Sequence, residues 1–131
     1  MGCDIHAFIE EKVGNSDRYE CIAQLFLERN YTLFALLADV RNNCNHEKLL
    51  IPISEPKGLP KDLSWRVRDA YQKWEDDTHS CTYLSLAEIG KTYLRAWTDD
   101  TVDNYTKNQL LILEHTMSRM NNPRLILWFD N

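Results

Sequence analysis

No stretch of this 131-residue chain approaches the roughly 20 consecutive apolar residues of a membrane-spanning helix, so no membrane span is expected. The N-terminus has no basic segment leading into an apolar run, which argues against a secretory signal. Gly2-Cys3 invites a reading as an acylation site, but the pattern asks for Ser or Thr where His6 stands. Basic residues are the minority charge: 15 Lys and Arg face 20 Asp and Glu, a formal net charge of −5. General nucleic-acid binding draws on counterion release from a basic surface, and this balance speaks against it. A small phosphate ligand would need local Arg or Lys, or a metal, to offset the repulsion. The chain has no Cys-x-x-Cys pair, internal repeat, low-complexity tract or linker. Its four cysteines, Cys3, Cys21, Cys44 and Cys81, are expected as reduced thiols of a cytoplasmic protein. Three of them lie beside a histidine (Cys3 with His6, Cys44 with His46, Cys81 with His79), but these spacings match no standard zinc finger.

What is present describes one domain, residues 1–131, with 44% apolar residues to build a core. Cys3 to Lys12 alternates, with Cys3, Ile5, Ala7 and Ile9 on one face and Asp4, His6, Phe8 and Glu10 on the other, and predicts a strand with one apolar face. Gly14 to Asp17 is a turn, after which Arg18 to Leu25 returns as the second strand of a hairpin. Tyr31 to Val40 reads as a buried helix capped by Asn30. Leu49 to Lys61 holds three of the four prolines and is expected as a long ordered loop. A helix follows from Ser64 to about Trp74 or Asp77, with Val67, Ala70, Tyr71 and Trp74 facing inward, then a short extended segment, Cys81 to Leu84. Ser85 and Glu88 have capping-box spacing before a helix that buries Ile89, Tyr93, Leu94 and Trp97. A last helix runs from Asn104 to Met120, and Arg124 to Phe129 is a strand buried on both faces, expected to pair with the first. The order implies an α+β fold: a small, mostly antiparallel sheet, the N-terminal hairpin plus the C-terminal strand, packed with three to four helices.

The feature richest in chemistry is a duplicated Asp-x-His, Asp4-Ile5-His6 and Asp77-Thr78-His79. Asp and His are oxygen and nitrogen ligands suited to a catalytic divalent metal. Residues two apart on a strand share a face, so two triplets can offer four ligands, Asp4, His6, Asp77 and His79, to one point. A metal there would lower the pKa of a bound water and neutralise charge at phosphorus. The same residues permit metal-free chemistry, with His6 and His79 as general acid and base and an Asp orienting a ring. Cys3 beside His6 is a third candidate nucleophile, although its place on an apolar strand face suits a core residue. Arg41, Lys57 and Lys61 make the Pro52 to Pro60 loop a candidate phosphate-contacting lid. The four tryptophans, Trp65, Trp74, Trp97 and Trp128, are candidates for stacking on a nucleobase, three of them expected in the core.

Several blocks carry a resemblance: MGCDIH at the start, RNYTLFALLADVRN (Arg29 to Asn42), EPKGLP (Glu55 to Pro60), WEDDTHS (Trp74 to Ser80), YLSLAE (Tyr83 to Glu88) and WFDN at the end. Together they resemble a family of small uncharacterised proteins of bacteriophages and bacteria. The resemblance implies that Asp4, His6, Asp77, His79, Ser80 and the Asp130-Asn131 end matter together, and that the dipeptide lines the same pocket. Related members often carry a second His where this chain has Cys81. A phage setting implies residence in the host-cell cytoplasm and a role against host defence. The expected function is thus a metal-assisted hydrolase or phosphodiesterase acting on a small nucleotide-like ligand. His6, His79 and Asp77 would be catalytic, and Arg41, Lys57, Ser80, Asp130 and Asn131 would contact the ligand. The alternatives are a protein, oligomeric in that case, that sequesters such a ligand uncleaved, or a protein-binding inhibitor whose Asp/His cluster is structural.

Overall fold

The computed structural model describes residues 2–44 and 50–131, so the Cys44–His46 pairing lies outside the described residues. Four antiparallel strands form one sheet: β1 (Asp4–Lys12), β2 (Tyr19–Leu25), β3 (Thr78–Ser85) and β4 (Arg124–Asp130), in the order β2-β1-β4-β3. The helices are α1 (Tyr31–Ala38), α2 (Trp65–Gln72), α3 (Leu86–Trp97) and α4 (Asn104–Met117). The α+β expectation holds, and β4 lies beside β1 with Asp4 opposite Asp130 and Glu10 opposite Arg124. None of these helices is long and apolar enough to cross a membrane.

Both central strands are covered on both sides. Ile5, Ala7, Ile9, Leu125, Leu127 and Phe129 face the main core, which α1, α3 and α4 complete through residues such as Leu33, Ile89 and Leu110. Phe8, Ile126 and Trp128 face a second, smaller core against Val67 of α2. This second cover is why the expected polar face of β1 is not polar throughout: Phe8 and Glu10 are buried.

Local signals account for the helix boundaries. Asn30 Oδ1 accepts from the N–H groups of Thr32 and Leu33 at 3.1 and 3.3 Å, and α1 stops when Asp39 turns left-handed at φ 59°. The capping box of α3 is present in both directions, Glu88 N–H to Ser85 Oγ and Ser85 N–H to Glu88 Oε1. The inward face of α3, however, is Ile89, Thr92 and Ala96, while Leu94 and Trp97 are exposed. Ser64 stands at the N-cap of α2, but its side chain makes no cap bond.

The proline-rich loop runs along the outer edge of β3. Gly58 N–H donates to Cys81 O at 2.8 Å and Lys57 N–H to Thr82 Oγ1 at 3.1 Å. An unpaired edge invites association, and a loop laid along it removes that template.

Candidate functional site

The second Asp-x-His spans the end of a turn and the start of a strand. Asp77 closes a short 3-10 turn, Glu75–Asp77, while Thr78 and His79 begin β3 and pair with Asp130 and Phe129. The register then shifts between His79 and Thr82, where Ser80 takes a left-handed φ of 54°. Both triplets therefore flank the C-terminal end of β4.

They do not share a face. The His6 ring stacks on Trp128 at 5.8 Å between centroids, and the His79 ring stacks on Phe129 at 6.0 Å. Trp128 and Phe129 are consecutive on β4, so their side chains leave opposite sides of the sheet. The expected four-ligand set of Asp4, His6, Asp77 and His79 is thus not assembled at one point. Among the described residues, no three His, Cys, Asp or Glu side chains are grouped to hold a metal ion.

On the α2 side, His6 Nε2 and Asp130 Oδ2 share a hydrogen bond of 2.5 Å, the two side chains being 19% and 17% exposed. A carboxylate only accepts, so Nε2 carries the proton of this bond, and Nδ1 of the neutral ring is left with a lone pair. The Trp74 ring lies 4.7 Å from the His6 ring and is itself 41% exposed. Asp4 is held by Arg29 in a two-pronged pair, Nε to Oδ1 at 3.0 Å and Nη2 to Oδ2 at 3.1 Å. That guanidinium packs so closely on Gly2 that a Cβ there would collide with it. That guanidinium is the far end of a flexible, half-exposed side chain, so it could shift to admit one.

On the α1 side, both His79 nitrogens are engaged. Nε2–H donates to Asn131 Oδ1 at 3.1 Å, and Nδ1 accepts from Ser80 Oγ at the same distance. Asn131 Oδ1 also accepts from Arg41 Nη2 at 3.3 Å. Arg41, like Ser80, is left-handed, with φ 56°. Non-glycine residues held there cost energy that the surroundings must supply, and they concentrate where geometry serves function. Arg41, Ser80 and Asn131 therefore gather around His79, while Asp130 stands with His6 on the other face.

Lys57 joins neither group. Its ammonium pairs with Glu88 at 2.8 Å and lies over the Tyr83 ring, beside the Ser85 end of β3. Ser85 is level with Arg124 and His79 with Phe129, five residues apart on β4 or about 17 Å at the strand rise. A cavity of about 680 Å3 opens at that far end, lined by residues including Lys12, Tyr19, Tyr83 and Arg124. Asp77 is exposed. Cys3 Sγ lies 3.9 Å from His79 Nε2, but the residue is fully buried. Burial pushes its thiol pKa up, Asp130 and Asp4 add to this, and Arg41 only partly opposes it. Cys3 is thus a core residue rather than a thiolate nucleophile. Of the tryptophans only Trp128 is buried; Trp65, Trp74 and Trp97 are 71%, 41% and 56% exposed.

Sequence reasoning missed two roles. Arg29 as the partner of Asp4 is separated from it by 25 positions, and Trp74 as the neighbour of His6 was read as core. Comparison with protein-family models, with curated proteins and with solved structures yields no match.

Proposed function

We propose that this chain is a hydrolase of the phosphodiesterase type acting on a small nucleotide-like ligand, such as a host defence signal, and that His6 is its acid/base group. The 2.5 Å bond between His6 and Asp130 carries the reading. A carboxylate that fixes one ring nitrogen orients the imidazole and leaves the other to move a proton. In the proposed step Nδ1 takes a proton from the attacking water as the new O–P bond forms. The P–O bond to the leaving group breaks, and the ring returns its proton to the departing oxygen. Trp74 offers a base a stacking surface beside that ring. Arg41, bonded to Asn131 on the opposite face of the sheet, takes no part in this step.

The proposed step runs without a metal, and turnover under chelation separates the cases. The protein is incubated with bis(4-nitrophenyl) phosphate and with cyclic and linear dinucleotides, with and without a chelator. Turnover is expected to persist under chelation and to fall about 10²–10⁴-fold in His6→Ala. Loss of turnover on chelation would replace this step with a metal-assisted one. The sequestering alternative is favoured by one observation: His79, Asn131 and Arg41 form a closed set of bonds with no free base. Nucleotides bound tightly and recovered intact would establish that reading and exclude the hydrolase. If His6→Ala lowers only the melting temperature, the cluster is structural and the chain is better read as a protein-binding inhibitor.

A further inference from the structure

Among the described residues, the most exposed large apolar side chain is Phe26, 89% accessible just beyond β2. It borders a cavity of about 320 Å3 between the end of β2 and α4, with buried Ile9 and Leu113 at its base. One wall is an outward stripe of α4, Tyr105, Asn108, Ile112 and Thr116, spaced to share one helix face. All four are exposed. No residue lining the cavity carries a charge, in a chain of which 27% is charged. Glu28 marks the edge, where it accepts from the Tyr105 hydroxyl at 3.2 Å.

We infer that this face is the contact surface of a homodimer, in which Phe26 of each copy seats in the groove of the other. Three features select a second copy over another occupant. The first is electrostatic. Two copies each carry a net charge of −5, and an uncharged patch lets them meet without placing like charges face to face. The second is shape. A two-fold interface must present knob and hole on one patch, and here the groove and an almost fully exposed aromatic adjoin. The third is the polar chemistry of the rim. The Asn108 amide and the Thr116 hydroxyl each donate and accept, so each can bond its own symmetry mate, as a carboxylate or an ammonium cannot.

Sedimentation equilibrium from about 1 μM to about 1 mM reads the mass directly. The wild-type chain is expected to move from 15.5 kDa towards twice that mass as concentration rises. Phe26→Glu and Ile112→Lys, both at exposed positions, are each expected to weaken the dimer by about 100-fold or more while leaving thermal unfolding by circular dichroism unchanged. An equimolar mixture of the two variants is expected to regain the dimer, because one of its two contacts is native and the other pairs Glu with Lys. A wild-type chain that stays at the monomer mass throughout would overturn the inference and leave the groove to a partner of another kind. So would a dimer insensitive to both substitutions.

Discussion

The ladder between β1 and β4 ends in opposite ways. At one end Glu10 faces Arg124; at the other Asp4 faces Asp130. The first is a buried opposite-charge pair. Glu10 is fully buried, and its carboxylate accepts from Arg124 Nε and from Ser64 N–H, each at 2.7 Å. Arg124 also donates to Asp62 and lies 3.6 Å from the Tyr19 ring. The second is a like-charge pair, an arrangement that costs energy across a strand. Each of its carboxylates is relieved by a separate partner, Asp4 by Arg29 and Asp130 by His6. A closed network fixes a fold. Partly exposed groups with one partner each can exchange that partner for a ligand.

The largest expected effect lies at the closed end. Arg124→Ala leaves Glu10 buried and unpaired, and is expected to cost about 3–5 kcal/mol in urea unfolding. Replacing Glu10 and Arg124 together by Met should restore most of that loss, since removing both charges removes the orphan. At the open end Asp130→Asn should do the reverse. It leaves an acceptor for His6 and relieves Asp4, so stability shifts by less than about 1 kcal/mol. Turnover, by contrast, is expected to fall at least about tenfold because the ring loses its orienting charge. Arg29→Ala exposes the like-charge pair and should appear as a small drop in melting temperature that high salt erases. If Asp130→Asn instead unfolds the chain while Arg124→Ala does not, the contrast is reversed.

The smallest effect sits beside the closed end, at Lys57 and Glu88. Partial burial raises the Glu88 carboxyl pKa, but hydrogen bonds from Lys57 and from the Ser85 N–H outweigh it, and the net shift is downward. A carboxyl depressed in the folded state adds stability above its unfolded pKa, ordinarily 4.5, and loses it as pH falls through the lower folded value. Lys57→Met is therefore expected to flatten the decline in stability below about pH 4.5 by a few tenths of a kcal/mol. Thermal unfolding of both proteins across that range measures it.

Periodicity along the chain located the strands and most of the helix cores, because burial repeats every two residues in a strand and about every 3.6 in a helix. That Asp130 and Asn131 stand beside the histidines is an implication of the resemblance, not of periodicity. Periodicity could not say that His6 and His79 lie on opposite faces, because that depends on the register of each strand against β4 and on the shift after His79. Lys57 misled for a related reason. Its charge suggested a phosphate contact, but the loop along β3 delivers it to Glu88 instead. The buried Glu10–Arg124 pair spans 114 positions, and in the sequence each residue merely adjoins an apolar run.

The last two residues described for β4 and beyond have a geometric consequence. Asp130 grips an imidazole on one side of the sheet and Asn131 grips one on the other, and a single peptide plane joins them. The two imidazoles, on opposite faces of the sheet, thus have their partners supplied by neighbouring residues at one strand end.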